Sequence, residues 1–275
     1  MKSKYILLVL FFLLGCDKVR KTNKKYMVLS PAYMYILSYL DNGWVKENVS
    51  CVDQYTLKFF PIFCNVASAF APNYEAIISH NPKTIFIQGI NTKLKRWTQL
   101  QKINLISISI EKLSDIVAQM KRATIIINTK KAKFRLEKWL LQLRKITSKS
   151  SSSSKISKNY FPIICQKNNR KARFLTAGNN TFINDIFLLF GLNENKRKIN
   201  GWGYKSYENI LAQDYRAIVY LCSNDAENYS EYKFLKKNFV KIIGVSGKHL
   251  LMPGANILKS IEKINKAIGV KDKND

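Results

Sequence analysis

Two carboxylates stand in matched settings: Glu75 in Asn73-Tyr74-Glu75-Ala76-Ile77 and Glu208 in Ser206-Tyr207-Glu208-Asn209-Ile210. A pair of carboxylates can act as acid and base in hydrolysis. Each also sits beside a Tyr at an expected helix start, where a carboxylate complements the helix dipole. Local capping, surface binding and catalysis all stay open on these residues alone. The chain has only two histidines, His80 and His249. His80 falls in a turn and His249 follows Gly247-Lys248, so both read as satisfied or solvated. A bare-metal receptor needs several His and carboxylates together, and none is expected here. Beyond Cys16, the cysteines are Cys51, Cys64, Cys165 and Cys222. Four cysteines allow three pairings. Proximity favours Cys51 with Cys64, and buried free thiols at strand ends are the alternative. There is no phosphate-cradling glycine motif, no serine nucleophile elbow and no context for a Cys-His pair. An enzyme is therefore not expected, and no cofactor is assigned.

The four tryptophans divide by their surroundings. Trp139 lies on an apolar helix face and reads as core, and Trp44 packs a strand start. Trp97, in Lys95-Arg96-Trp97, is either on a loop at a ligand cleft or partly buried. Trp202 stands between Gly201 and Gly203 with no apolar periodicity around it. That makes it a candidate ligand wall. The aromatic stretch from Gln54 to Ala71 reads as an irregular loop, and it adds Tyr55 and Phe70 to the ligand-facing set.

The elements that must position these residues centre on Lys130 to Thr147. Leu136, Trp139, Leu140, Leu143 and Ile146 recur at three or four residues, one face of an amphipathic helix. At ~1.5 Å per residue it spans about 27 Å. The serines at 148 and 150–154 are expected to end it as a solvated linker. Either side of this helix the Tyr-Glu-x-x-Ile pattern and the strand that follows it recur at an offset of 133 residues (75 to 208, 85 to 218). Short β-rich runs such as 26–30, 84–87, 105–108, 160–165, 217–221 and 240–243 alternate with helical ones. Helices are expected at 31–40, ended by Asp41-Asn42-Gly43, and at 111–120, 181–190, 229–236 and 257–268. Thr124–Ile127 is ambiguous between strand and helix. Alternation of this kind indicates α/β units with parallel sheets. The expected organisation is two α/β lobes, residues 26–120 and 159–275. A linker helix region at 121–147 and a Ser-rich linker at 148–158 join them.

Lys2 and Lys4 precede an apolar run from Tyr5 to Leu14, too short to span a membrane and suited to a signal core. Leu13-Leu14-Gly15-Cys16 resembles a bacterial lipoprotein signal. That resemblance implies removal of residues 1–15, lipidation of Cys16 and a tether at 16–25. The protein is then exported and lipid-anchored on the membrane facing the periplasm, or on the outer face where no outer membrane exists. The net charge is +28 from 46 Lys and Arg against 18 Asp and Glu. The lysines are spread along the chain without a nucleic-acid motif. The charge reads chiefly as coding bias, with an anionic surface or ligand as the second reading, and nucleic acid is not an expected partner.

Val28-Leu29-Ser30-Pro31, Asn73-Tyr74-Glu75-Ala76-Ile77, Gly178 to Gly191, Trp202 and Tyr207-Glu208-Asn209-Ile210 occur in an order that resembles one family. It is the substrate-binding proteins of iron-siderophore, haem and cobalamin ABC importers, and the nearest look is to the cobalamin receptors. Phe174-Leu175-Thr176-Ala177-Gly178 and Trp202 match positions there, which adds Phe174 to the ligand-facing set. The resemblance implies two α/β lobes joined by one long rigid helix, with a corrinoid or ferric siderophore held between them. Haem stays open, because a Tyr can be an axial ligand, and so does an envelope-interaction lipoprotein that keeps the fold without a transport role. The resemblance also implies a monomer that delivers ligand to a permease and its ATPase, with Glu75 and Glu208 docking on permease arginines. Two tryptophans of the cobalamin receptors fall at Ala69 and Gln88 here, so the importer class is better supported than the corrinoid.

Overall fold

The computed structural model of the chain describes residues 24–66, 68, 70–152, 160–165, 173–191, 199–213, 215, 217–223, 241–247 and 250–268. The leader, Cys16, the expected helix at 229–236 and His249 lie outside the described residues. In order, the elements are β1 (Tyr26–Leu29), α1 (Pro31–Asn48), β2 (Val49–Val52), α2 (Gln54–Leu57), β3 (Cys64–Asn65), α3 (Tyr74–His80), β4 (Thr84–Gln88) and α4 (Thr92–Leu100). They continue through β5 (Asn104–Ile108), α5 (Leu113–Ile127), α6 (Lys130–Ser152), β6 (Tyr160–Ile164), β7 (Arg173–Ala177) and α7 (Phe182–Leu189). The last are β8 (Trp202–Ser206), α8 (Tyr207–Leu211), β9 (Ala217–Cys222), β10 (Lys241–Ser246) and α9 (Ile257–Ile268). No helix among the described residues is long and apolar enough to cross a membrane.

The chain packs as two compact units. One takes the described residues up to Leu29 together with those of Glu47–Ile106. Its sheet runs β3-β2-β1-β4-β5. The pairs β1–β2, β1–β4 and β2–β3 are parallel. Met27, Leu29, Cys51, Ile77, Ile85, Ile87 and Leu94 form one core cluster. Thr84 to Ile87 is buried without alternation, as expected for a strand covered on both faces.

The other unit takes Ser30–Lys46 and the chain from Ser107 onward. Its sheet runs β10-β9-β6-β7-β8. β9 is parallel to both β10 and β6, whereas β7 is antiparallel to β6 and to β8. This corrects the expectation of two parallel sheets, since the second is mixed. The short segment 165–172 between β6 and β7 explains it, because a parallel neighbour needs a crossover of a dozen residues or more. Taken from β8, the order β8-β7-β6-β9-β10 repeats β3-β2-β1-β4-β5 position for position. The helices α3 and α8 fill the same slot, after the outermost of the first three strands and before the fourth. The sequence repeat is thus a repeat of architecture.

The expected stop after Leu40 holds, although α1 resumes beyond it: Asp41 leaves helical geometry (φ −157°, ψ 96°) and opens a second segment that runs to Asn48. The Asp41 Oδ1 accepts from the N–H groups of Gly43 and Trp44 at 3.1 and 3.3 Å, so it caps the second segment. Thr124–Ile127 is helical within α5. The serine run does not stop α6, which continues to Ser152. Thr147 and Ser148 donate back to the carbonyls of Arg144 and Lys145, at 2.9 and 3.1 Å, which lets hydroxyl residues sit within a helix.

The long helix α6 is pinned inside its unit by side chains at three levels. Thr129 Oγ1, just before it, donates to Asp41 Oδ2 at 3.0 Å, and Lys131 Nζ lies 3.3 Å from Asp41 Oδ1. Arg135 donates to the Tyr39 carbonyl. Trp139, fully buried, donates from Nε1 to the Ala255 carbonyl at 2.9 Å. Burial alone would raise the Asp41 pKa, but the bonds from Trp44, Thr129 and Lys131 outweigh it and hold the carboxyl below its ordinary 3.8. A depressed folded-state pKa gives stability that is present above 3.8 and lost as pH falls through the lower folded value. Asp41→Asn should therefore cost about 1–3 kcal/mol at neutral pH. The gap between parent and variant should close as pH falls through that range. Denaturant titrations at a series of pH values check both.

Candidate functional site

In the first unit, exposed apolar side chains gather on segments that leave the carboxyl ends of parallel strands. That edge is where open α/β sheets bind ligands. Tyr55, after β2, is exposed on the one-turn helix α2. Asp53 caps that helix, its carboxylate accepting from the Thr56 N–H at 2.6 Å. Burial raises the Asp53 pKa despite that bond. Phe70, in the segment after β3, is 84% exposed. Its carbonyl accepts from Asn91 Nδ2 at 3.5 Å, which ties it to the turn after β4. That turn carries Gly89 at φ +78° and the exposed Ile90. Trp97 is not part of this face. It packs half-buried against the core, with its ring 4.7 Å from that of Tyr74. The ligand-facing expectation for Trp97 is corrected accordingly: its place one helical turn beyond Leu94 directs it inward.

In the second unit, Trp202 does not sit on a loop. It opens β8 and pairs with Ala177 at the end of β7. Its ring is 46% exposed and touches Phe182 edge-on at 5.9 Å. Gly178, opposite it across the ladder end, and the flanking Gly203 serve close approach. A Cβ on Gly178 would collide with the Ile199 carbonyl, and one on Gly203 would lie 2.8 Å from Ile199 Cγ2. Gly201 itself adopts φ +74°. Tyr204, two residues along the strand and on the same face, is also exposed. Phe174, by contrast, is 2% exposed and packs with Phe161, Ile163, Ile210 and Tyr220. Its expected ligand-facing role is corrected to core packing, because the alternation of β7 turns it to the covered face.

The two glutamates keep equivalent settings. Asn73 Oδ1 accepts from the Ala76 N–H at 3.1 Å, and Ser206 Oγ accepts from the Asn209 N–H at 3.3 Å. Each cap starts a short helix with an exposed glutamate in its first turn. Ile77 and Ile210 are fully buried in their respective cores, and Tyr74 and Tyr207 pack against those cores. A hydrogen bond with Ser206 holds the Glu208 carboxyl below its ordinary range. Glu75 belongs to the first unit and Glu208 to the second.

The structure contains both Cys51–Cys64 and Cys165–Cys222 disulfides, with Cα separations of 4.6 and 4.9 Å. The first joins register partners on β2 and β3. The second joins the segments at the ends of β6 and β9. Proximity pointed to the first pairing, whereas only the fold brings the second together. His80 Nε2 lies 3.4 Å from Cys64 Sγ, and burial lowers the histidine pKa. Cys51, Cys64 and His80 place ligand atoms within 4.8 Å of one another. With the sulfurs bonded to each other, neither thiolate is free for a metal.

Sequence reasoning missed Ile90 and Tyr204. Ile90 follows a strand end, and the alternation Trp202-x-Tyr204 was the available signal for the other.

No family model matches the sequence, and no curated protein matches it. Solved structures do. The periplasmic vitamin B12 binding protein BtuF of Vibrio cholerae matches with TM-score 0.69 and 13% identity, over 91% of this chain and 98% of that one. The periplasmic haem binding protein HutB of Vibrio cholerae gives 0.69 and 13%, over 89% and 98%. A possible iron-binding, periplasmic solute-binding protein from Staphylococcus epidermidis gives 0.68 and 17%, over 90% and 99%. The chain therefore has the α/β fold of periplasmic binding proteins, with one parallel and one mixed sheet.

The opposed placements of Trp202 and Phe174 are testable by stability. Phe174→Ala should cost about 3–5 kcal/mol, as for a core aromatic. Trp202→Ala should cost clearly less than Phe174→Ala, because Trp202 is 46% exposed and Phe174 only 2%. Urea unfolding of both variants measures the difference.

Proposed function

We propose that this chain is a lipid-anchored substrate-binding protein of an ABC importer. It captures a cobalamin-like corrinoid or a ferric siderophore and delivers it to a permease and its ATPase. Cys16 carries the lipids, and the folded chain works as a monomer at the exported face of the membrane. The carrying observation is the duplicated helix start. Two units of the same strand order each present one exposed glutamate, held outward by a capped turn and a buried isoleucine. On a chain of net charge +28, such carboxylates orient a partner bearing arginines, through charge-assisted bonds that Arg can make bidentate. Tyr55, Phe70 and Trp202 supply apolar walls suited to a large flat ligand. The exposed phenols of Tyr55 and Tyr204 favour haem as the second reading, since a tyrosine oxygen can ligate its iron. The fold of the solved B12- and haem-binding proteins supports both.

Glu75→Ala and Glu208→Ala should each leave ligand binding intact and reduce uptake by cells, and the double variant should reduce it further. Uptake of labelled ligand at matched protein levels reads this out. Normal uptake by the double variant would leave the glutamates as helix-start stabilisers, worth about 0.3–1 kcal/mol each.

A further inference from the structure

The outward face of α6 is unlike that of an ordinary solvated helix. Phe134 and Leu141 are 66% and 52% exposed, one heptad apart, in the middle of that face. The buried Ala132 and Trp139, and the less exposed Leu136 and Leu143, occupy the opposite side. Lys138 and Lys145 fall between and beyond the two apolar side chains at helical spacing, and Lys130, Lys133 and Arg144 flank them, all exposed. Glu137 is the only carboxylate in the helix. The helix α5, which packs on α6, has the same composition on its exposed side: Ile125 lies among Lys121 and Arg122.

We propose that this face of α6 rests on an anionic phospholipid surface. Large apolar side chains ringed by Lys and Arg, on a helix whose other side is already buried, are the side-chain set that lies in a bilayer interface. Phe134 and Leu141 enter the headgroup boundary, and the lysines pair with lipid phosphates. Charge complementarity selects this occupant. A second copy of the chain would bring an equally basic face and repel it. The inference needs no lipid anchor and does not rest on the transport reading. Where Cys16 is lipidated, the anchor raises the local concentration of the face at the bilayer.

Vesicle co-sedimentation of the chain from Lys18 onward tests this, since that chain keeps every described residue and lacks Cys16. It should pellet with phosphatidylglycerol-containing vesicles and stay in the supernatant with pure phosphatidylcholine. Lys138→Glu/Lys145→Glu should weaken binding roughly tenfold or more, given the attraction of each lysine near such a surface. Lys93→Glu/Lys95→Glu on α4 makes the same change of net charge and should have a clearly smaller effect. Phe134→Ser/Leu141→Ser should also weaken binding, at unchanged charge. Circular dichroism must show each variant folded as the parent. Equal losses from the two charge reversals would overturn the proposal in favour of net charge. Parental affinity in the Phe134/Leu141 variant, or a dimer held through those residues in place of vesicle binding, would overturn it as well.

Discussion

Two buried isoleucines fix where the exposed chemistry of this protein lies. Helices of seven and five residues are too short to persist alone. Each of α3 and α8 is held by a capping side chain at its start and by Ile77 or Ile210 in the core. Residues two apart on a helix point in nearly opposite directions. Burying the isoleucine therefore turns Glu75 or Glu208 to solvent. The tyrosine before each glutamate packs down on the same core and limits rotation of the turn. The construction appears once in each unit, at the same place in the strand order.

Much of this architecture was legible because it depends on local chemistry. The Tyr-Glu-x-x-Ile repeat and the final helix, whose observed bounds match those expected, both follow from short-range signals. The class of fold followed from alternation of strands and helices. The mixed character of the second sheet did not. β7 is as apolar as a parallel strand, and its direction is set by the length of the connection before it. The stop at Asp41 was legible, but the second helical segment after it was not: an Asp-Asn-Gly sequence serves equally as a helix stop and as a cap for the next segment. The carboxylate resolves the ambiguity only by meeting Thr129, a contact 88 residues away.

The candidate ligand faces were read less well than the scaffold. Trp202, Tyr55 and Phe70 are exposed, whereas Phe174 is buried in a core cluster and Trp97 packs half-buried against another. An aromatic residue carries the same signal whether it faces a core or a ligand. On β7 and β8 the distinction depends on pleat register, which one residue of slip reverses. Charge was harder still. A basic composition spread along the sequence looks diffuse, and only the pitch of α6 collects part of it around Phe134 and Leu141.

The proposed ligand is a coloured macrocycle or chelate held on the aromatic faces. The most direct test is the visible absorbance of the protein as isolated, followed by titration with cobalamin, a ferric siderophore and haemin. The isolated protein should carry a bound chromophore or bind at least one of the three saturably, with binding weakened in Trp202→Ala while Phe70 and Tyr55 are intact. A colourless protein that binds none of them would contradict that assignment.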